Sequence, residues 1–249
     1  NTDQEIIEIL FSQSLRQLTG AKTDAEAWDV LFRYHNKTNG KGDRGYQKNE
    51  TITIKLNCNT DGNPGERGVK KGHFSTQVVY ALVKQLIEQA GVPGANITLT
   101  DPSRHIGMPI YDKIRSNPNT HYQQIVYAGK EERDEPQCIY AEPDMNCPIF
   151  FDMPDGTRQT FHFPKVFSQA TYMINAAQCR PHSIFGITML GKNHFGSIYD
   201  GKAYLPSPLH AFDLLNEIHP NKYGSPHCNP SLLGHQVTNE KTFFYLLDG

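Results

Sequence analysis

Cysteine is scarce in this sequence, and its few residues follow no metal-binding or redox pattern. The 249 residues include five cysteines, and no two of them form a Cys-x-x-Cys pair. Zinc ribbons, thioredoxin-type redox sites and ferredoxin-type clusters all need closely spaced cysteines, so the sequence excludes these classes. We therefore expect no iron–sulfur cluster and mostly buried, inert thiols.

The sequence also lacks a strong charge bias and long apolar runs. Its 24 basic and 26 acidic residues give a formal net charge of −2, without the basic excess typical of nucleic-acid or membrane-surface binding. No apolar run approaches the ~20 residues needed to span a bilayer. We therefore predict no nucleic-acid partner and no transmembrane segment, while the oligomeric state stays open.

The first 40 residues have the pattern of two amphipathic helices. In the first, the apolar residues predicted to share one face are Ile6, Ile7, Leu10, Phe11, Leu15 and Leu18, and Gly20 follows as a stop signal. In the second, Thr23 and Glu26 have capping-box spacing. We predict an N-terminal helical segment over residues 1–40 that packs on a single α/β domain over residues 41–249.

The main domain begins with a strand, a helix and a second strand. Ile52, Ile54 and Leu56 alternate with polar residues, which is typical of a strand. An apolar helical pattern follows up to Gly91, and a second strand spans 97–100. Further strands are predicted at 124–127, 149–151, 160–163, 172–175 and 243–247, with 149–151 and 160–163 forming a hairpin. This order favours a layered α/β fold, with a mainly parallel sheet flanked by helices.

Small polar residues end four of the predicted strands, namely Asn57, Asp101, Asn175 and Asp248. In an open parallel sheet the ligand binds at the carboxyl ends of the strands, so these residues predict a polar site at one edge. Asn and Asp are also good turn and capping residues, which is the alternative explanation for each of them.

Three of the eleven histidines stand in a context that favours chemistry. His182 follows a predicted buried strand, His194 lies in the segment Gly191-Lys192-Asn193-His194-Phe195-Gly196, and His235 follows Leu233-Gly234. They lack the spacing of a zinc motif such as His-Glu-x-x-His, but they could converge in space on a divalent metal ion. Asp101 or Asp248 would then serve as a carboxylate partner. Ordinary packing of these histidines is the alternative.

The glycine-bracketed segment around Lys192 also favours anion binding. Glycines allow close approach of backbone N–H groups, and Lys192 and Arg180 supply positive charge. The order of a Walker A motif is absent, so this prediction does not extend to nucleotide binding of that kind.

Several stretches together carry a family resemblance. They are Thr53-Ile54-Lys55-Leu56-Asn57, Asp101-Pro102-Ser103, Phe163-Pro164-Lys165-Val166, Ala170-Thr171-Tyr172-Met173-Ile174-Asn175 and Lys192-Asn193-His194-Phe195-Gly196. They resemble, in the same order, the bacterial and archaeal family known as domain of unknown function 362 (DUF362). His182 stands at the histidine of the family's Lys-x-His motif, and Arg180 replaces its usual lysine. The ending at Leu233-Gly234-His235 and Leu247-Asp248-Gly249 resembles a branch from gut Bacteroidetes-type bacteria.

The resemblance covers roughly residues 24–249 and implies little about activity, because the family's reaction is not established. Many relatives carry ferredoxin-like domains, but this chain lacks the cysteines for them. Members of the branch resemble exported proteins with removable leaders, so we expect a periplasmic or cell-envelope protein whose leader is absent from this sequence. Family members continue beyond Gly249, so we also expect the domain to be truncated at its C-terminus.

We predict an exported enzyme that acts on a small anionic molecule, by metal-assisted hydrolysis or by acid–base catalysis. The predicted catalytic residues are His194, Lys192, Asp101 and Asp248. The predicted substrate-binding residues are Asn57, Arg180, Asn193 and Ser103, and the predicted metal ligands are His182, His194 and His235. A non-catalytic protein that binds a small anion, cofactor or metal is the second hypothesis, and purely structural roles for these residues are the third.

Overall fold

A computed structural model of the chain describes residues 3–58, 74–132, 137–152, 157–182, 186–198 and 232–249. Its α-helices described from end to end are α1 (Gln4–Thr19), α2 (Asp24–Thr38), α3 (Thr76–Lys84), α4 (Met108–Arg115), α5 (Thr120–Gln123), α6 (Lys165–Ser168), α7 (Leu190–Asn193) and α8 (Gln236–Asn239). A π-helix follows α3 over Gln85–Gln89, and two 3-10 helices span Gly94–Asn96 and His194–Ser197. Its strands are β1 (Ile52–Lys55), β2 (Ile97–Thr100), β3 (Val126–Gly129), β4 (Ile139–Tyr140), β5 (Pro143–Asp152), β6 (Arg158–Pro164), β7 (Tyr172–Gln178), β8 (Arg180–His182), β9 (Gly186–Thr188) and β10 (Thr242–Asp248).

Six of these strands form a parallel sheet in the order β10-β7-β1-β2-β3-β4. Strands β2, β3 and β4 follow one another on one side of β1. Strands β7 and β10, which come later in the sequence, lie on the other side of β1. The strand order therefore reverses between β1 and β7, and the carboxyl ends of these two strands flank the crevice where open α/β sheets bind ligands. The layered α/β fold with helices around a mainly parallel sheet is confirmed.

One face of the sheet is apolar and is covered by helices. Ile52, Ile54 and Leu56 of the β1 segment point to this side and share a core with Trp28 of α2 and Leu82 of α3. The alternation read from the sequence places these aliphatic side chains together, because successive residues of a strand face opposite sides.

The opposite face of the sheet is also covered, although it carries polar side chains. Thr53 on this face donates its hydroxyl hydrogen to the carbonyl of Val166 in α6 at 2.6 Å. A second apolar cluster, which includes Met173 of β7, Phe163 of β6 and Val237 of α8, packs over this side. All four residues of β1 are consequently buried.

The predicted hairpin is present as the antiparallel pair β5–β6, in which Ile149 is opposite Phe161. Its expected turn at residues 155–156 lies outside the described residues.

The predicted end of α1 and the predicted start of α2 are both confirmed. The side chain of Thr23 and that of Glu26 form the predicted capping box of α2. Gly20 ends α1 in the left-handed conformation, with φ at 72°. The predicted apolar face of α1 is only partly buried. Its residues Phe11 and Leu15 enter the core. Ile6, Leu10 and Leu18 are more than half exposed, since α1 contacts the rest of the protein along a narrow stripe.

A polar network fixes α2 at the amino edge of the sheet. The hydroxyl of Tyr172, at the start of β7, lies 2.9 Å from a carboxylate oxygen of Glu50 and 2.9 Å from the amide nitrogen of Asn36. Arg44 pairs with Glu50 at 2.7 Å. His35 is buried beside this network, its ring packs against Tyr172, and its Nε2 has no hydrogen-bond partner among the described residues.

Burial, with a smaller contribution from the charge of Lys41, lowers the pKa of His35 to about 4 from an ordinary value of 6.5. The unfolded chain therefore binds this proton at a higher pH than the folded chain. The stabilisation that the neutral His35 side chain gives the folded state is complete above pH 6.5 and is lost as the pH falls toward 4.

We expect the free energy of unfolding of the wild type to fall between pH 6.5 and pH 4, with His35 contributing roughly 2–3 kcal/mol of that decrease. In His35→Gln the decrease should be smaller by this amount, because no imidazole remains to be protonated. Urea unfolding at a series of pH values measures it. His162→Gln replaces a half-buried histidine and serves as the control. Equal pH dependence in His35→Gln and wild type would contradict this prediction.

No helix among the described residues is both long and apolar enough to cross a membrane.

Candidate active site

Lys55 places a charged ammonium group in the interior, at the carboxyl end of the central strand β1. Its side chain is only 1% exposed. The ammonium Nζ donates to the carbonyl of Leu56 at 2.5 Å and to Oδ1 of Asn193 at 3.1 Å, and it lies 3.3 Å from Oδ1 of Asp101. These three acceptors match the three hydrogens of the ammonium group.

Asp101 is the carboxylate partner, and it is held by several groups at once. It directly follows β2, the parallel neighbour of β1. Its Oδ2 accepts the backbone N–H of Cys58 at 2.9 Å, and its Oδ1 accepts the hydroxyl of Ser103 at 3.2 Å. The carboxylate thereby links the carboxyl ends of β1 and β2, and both ions of the pair are buried.

Asn193 fills the crevice between β1 and β7 with its carboxamide group. Its Nδ2 lies 3.1 Å from the carbonyl of Lys55, 2.8 Å from Oδ1 of Asn175 and 3.1 Å from the carbonyl of Ala176. Its Oδ1 accepts from the Lys55 ammonium. All polar atoms of the carboxamide are thus used within the protein, so Asn193 positions Lys55 and joins two strands.

His194 is the next residue and is also buried, with 1% exposure. Its Nδ1 lies 3.0 Å from the hydroxyl of Ser197. Burial, assisted by the positive charge of Lys55, lowers the pKa of His194 to about 3 from an ordinary value of 6.5. The imidazole is therefore neutral at pH 7 and can donate or accept a hydrogen bond without carrying charge.

Gly196 brings the backbone of the same segment against the ion pair. A Cβ atom at this position would lie 2.9 Å from Oγ of Ser103, 3.1 Å from Oδ1 of Asp101 and 3.4 Å from Nζ of Lys55. The other glycine of this segment, Gly191, has more space, because a Cβ atom there would meet only Cδ1 of Leu233, at 3.8 Å. The requirement for glycine on steric grounds therefore applies at Gly196.

The structure brings together four of the predicted site residues around the unpredicted Lys55: Asp101, Ser103, Asn193 and His194. Asn57 follows β1 at the same edge, and its Oδ1 is buried without a hydrogen-bond partner among the described residues.

Asp248 and Lys192 contact Ser75 and Phe195, respectively. Asp248 ends the edge strand β10, and its Oδ2 accepts the backbone N–H of Ser75 at 2.8 Å, at the start of α3. The carboxylate therefore stabilises the N-terminus of that helix. The ammonium of Lys192 lies over the ring of Phe195, 5.6 Å from its centroid. Arg180 is half-buried in β8.

The three predicted metal ligands occupy different elements. Nδ1 of His235 accepts the N–H of Val237, and its Nε2 lies 3.2 Å from the carbonyl of Pro148, so both ring nitrogens have protein partners. His182 belongs to β8, which pairs with β9, and its side chain lies outside the described residues. Within the described ranges, no group of three or more His, Cys, Asp or Glu side chains is arranged to hold a metal ion.

Lys55 is the residue that sequence reasoning missed, and a signal for it was present. Alternation of apolar and polar residues is typical of strands whose polar side chains face solvent. In a parallel sheet with crossover helices, however, both faces are normally covered. A lysine within such a strand is then expected to be buried and to need an acidic partner, for which Asp101 at the end of the next strand is the natural candidate.

We expect Lys55→Met to lower the free energy of unfolding by about 3–5 kcal/mol, because it leaves the Asp101 carboxylate buried without its counter-ion. The double variant Lys55→Met with Asp101→Asn should lose less than Lys55→Met alone, since it removes both charges. Urea unfolding of the wild type, both single variants and the double variant gives the coupling energy. Additive losses would show that the two charges do not interact.

Gly196→Ala should lower stability by about 1–3 kcal/mol, because the added methyl group must displace the Ser103 hydroxyl or the Asp101 carboxylate. Gly191→Ala is the matched control from the same motif and should be tolerated. Thermal unfolding of the two variants measures the difference. Equal behaviour of both variants would contradict the close packing at Gly196.

Comparison with known proteins shows the family of this chain. The family model described as Domain of unknown function (DUF362) matches residues 52–218, which is 167 of the 249 residues. The match includes the site residues Lys55, Asp101, Asn193 and His194. A search of curated proteins found no match.

Proposed function

Since the chain belongs to the DUF362 family, whose description names no reaction, we propose its function from the site itself. We propose an enzyme that transfers a proton to or from a small anionic molecule at the carboxyl edge of the sheet. Lys55 and Asp101 are the reacting pair in this proposal, and Ser103 and His194 assist them.

The observation that carries the proposal is the buried ion pair between Lys55 and Asp101, 3.3 Å apart. Removing two charges from water costs several kcal/mol, and an apolar pair of similar size often stabilises a fold equally well. Stability alone therefore gives little reason for a lysine at this position. Lys55 also ends β1, one of the two strands between which the strand order reverses, and Asn193 links it to Asn175 of β7 across that crevice, which is the usual ligand site of such sheets.

Each group of the cluster has a chemical role in this proposal. The Lys55 ammonium donates a proton or stabilises negative charge that develops on the substrate, and Asp101 accepts a proton. All three hydrogens of Lys55 are bonded within the protein, so a substrate atom must replace one acceptor, such as Oδ1 of Asn193. The neutral His194 supplies a hydrogen bond without adding a second positive charge.

Cationic side chains near this edge support an anionic substrate. Lys192 directly precedes Asn193 in α7, and Arg104 directly follows Ser103. Neither side chain is fully buried, so solvent reaches both. Arg180 in β8 is a third cation predicted to bind the substrate.

A non-catalytic binding protein is the second candidate function, and one observation favours it. The hydrogen bonds of Lys55 and Asn193 are complete within the protein, so neither group has a free hydrogen bond for proton exchange with an anion that binds beside it. Such a protein would bind the same small anion without converting it.

The enzyme hypothesis is tested by incubating the protein in D₂O with a panel of phosphoesters, peptides and 2-hydroxy acids. Mass spectrometry then detects products and incorporated deuterium. We expect conversion or exchange by the wild type, and a loss of at least about 100-fold in Lys55→Met and Asp101→Asn, because general acid–base groups contribute on that scale. Lys84→Met is the matched control, since it removes a lysine whose ion pair with Glu8 lies at the surface.

Circular dichroism first establishes that each variant is folded. Equal activity in Lys55→Met and wild type would overturn the proposal. Binding of an anion without any conversion would favour the binding protein instead.

Two further expectations stay predictions. A divalent metal ion held by His182, His194 and His235 is tested by plasma mass spectrometry of untagged protein and of the His182→Ala and His194→Ala variants. Export to the periplasm or cell envelope, which the resemblance to the Bacteroidetes-type branch implies, is tested by fractionating cells that produce the protein.

A further inference from the structure

Two side-chain oxygens beside the ion pair are buried without a hydrogen-bond partner among the described residues. They are Oδ1 of Asn57 and Oγ1 of Thr100. Thr100 is fully buried. Buried polar atoms in folded proteins are nearly always matched, so each unmatched atom needs an explanation.

The backbone places these two residues side by side at the edge of the sheet. Thr100 is level with Lys55 in the register of β1 and β2, so their side chains project from the same face. The N–H of Leu56 donates to the carbonyl of Thr100 at 2.9 Å, and the N–H of Cys58 donates to Oδ2 of Asp101 at 2.9 Å. Asn57 lies between Leu56 and Cys58 in the chain, so these two bonds fix its backbone next to Thr100 and Asp101.

The chemistry of the two atoms restricts what can match them. The Oδ1 atom of Asn57 only accepts hydrogen bonds, so its partner must carry a hydrogen. The hydroxyl of Thr100 both donates and accepts. An ionised carboxylate or phosphate oxygen carries no hydrogen to donate to Asn57, and an ammonium group would be repelled by Lys55. A hydroxyl group satisfies both residues, because it donates to Asn57 and accepts from Thr100.

We propose that Asn57 and Thr100 bind a hydroxyl group of the substrate next to the Lys55–Asp101 pair, so that the substrate is a hydroxylated small anion. This inference rests on the proposed function, because it names the substrate class of the same site. The anionic group itself can belong to a hydroxycarboxylate or to a phosphate ester of an alcohol.

The first experiment needs no ligand and compares two threonines on the same face. Thr100→Val removes an unmatched hydroxyl, so the melting temperature should stay unchanged or rise. Thr53→Val is the matched control, because it removes a hydroxyl that donates to Val166 at 2.6 Å. It should lower the melting temperature by about 2–4 °C. Equal losses in both variants would show that the Thr100 hydroxyl already has an internal partner, and would overturn the inference.

The second experiment measures binding of four probes by calorimetry: lactate, propionate, glycerol 3-phosphate and propyl phosphate. We expect the wild type to bind at least one hydroxylated probe about tenfold more tightly than its counterpart without the hydroxyl. Whether lactate or glycerol 3-phosphate shows the preference identifies the anionic group. The preference should disappear in Thr100→Val and Asn57→Leu and persist in Thr100→Ser, which keeps the hydroxyl.

Equal binding of both members of each pair would overturn this inference and leave the proposed function in place. Absence of binding for all four probes would overturn it as well. The proposed function is decided separately, by the loss of deuterium exchange in Lys55→Met.

Discussion

The buried ammonium group of Lys55 is the interaction on which this end of the molecule depends. A charge with 1% exposure must be matched by protein atoms, because water does not reach it. Its three partners come from the carboxyl end of β1, from the residue that follows β2, and from α7. One charged group therefore determines how three separate parts of the chain meet at the carboxyl edge of the sheet.

The polar side chains around this charge differ in whether all their atoms have hydrogen-bond partners. Lys55 and Asn193 form closed hydrogen-bond networks, and His194 is held neutral beside them. Asn57 and Thr100, on the same edge, retain buried oxygens without partners among the described residues. A rigid, preorganised pair beside unmatched atoms is the arrangement expected where a ligand completes the structure on binding.

Much of the fold and part of the site follow from local sequence signals. The capping box at Thr23, the strand at Ile52 and the strand–helix–strand order are each specified by residues close together in the chain. The rule that parallel strands present their carboxyl ends at one edge places Asp101 at the end of β2, next to the end of β1. It does not distinguish Asp101 from Asp248, whose carboxylate stabilises the start of α3 instead. That distinction depends on contacts between residues far apart in the sequence.

The sequence by itself determined the α/β class, the mainly parallel sheet and the family, because periodicity, caps and short motifs are local properties. Only the tertiary structure decided that the polar face of β1 is buried. The covering layer comes from residues more than 100 positions away, including Val166 and Asn193. Because this layer covers the polar face of β1, Lys55 is buried and forms one half of an ion pair. Burial is set by the whole chain, whereas the pattern that predicts a strand is set by six residues.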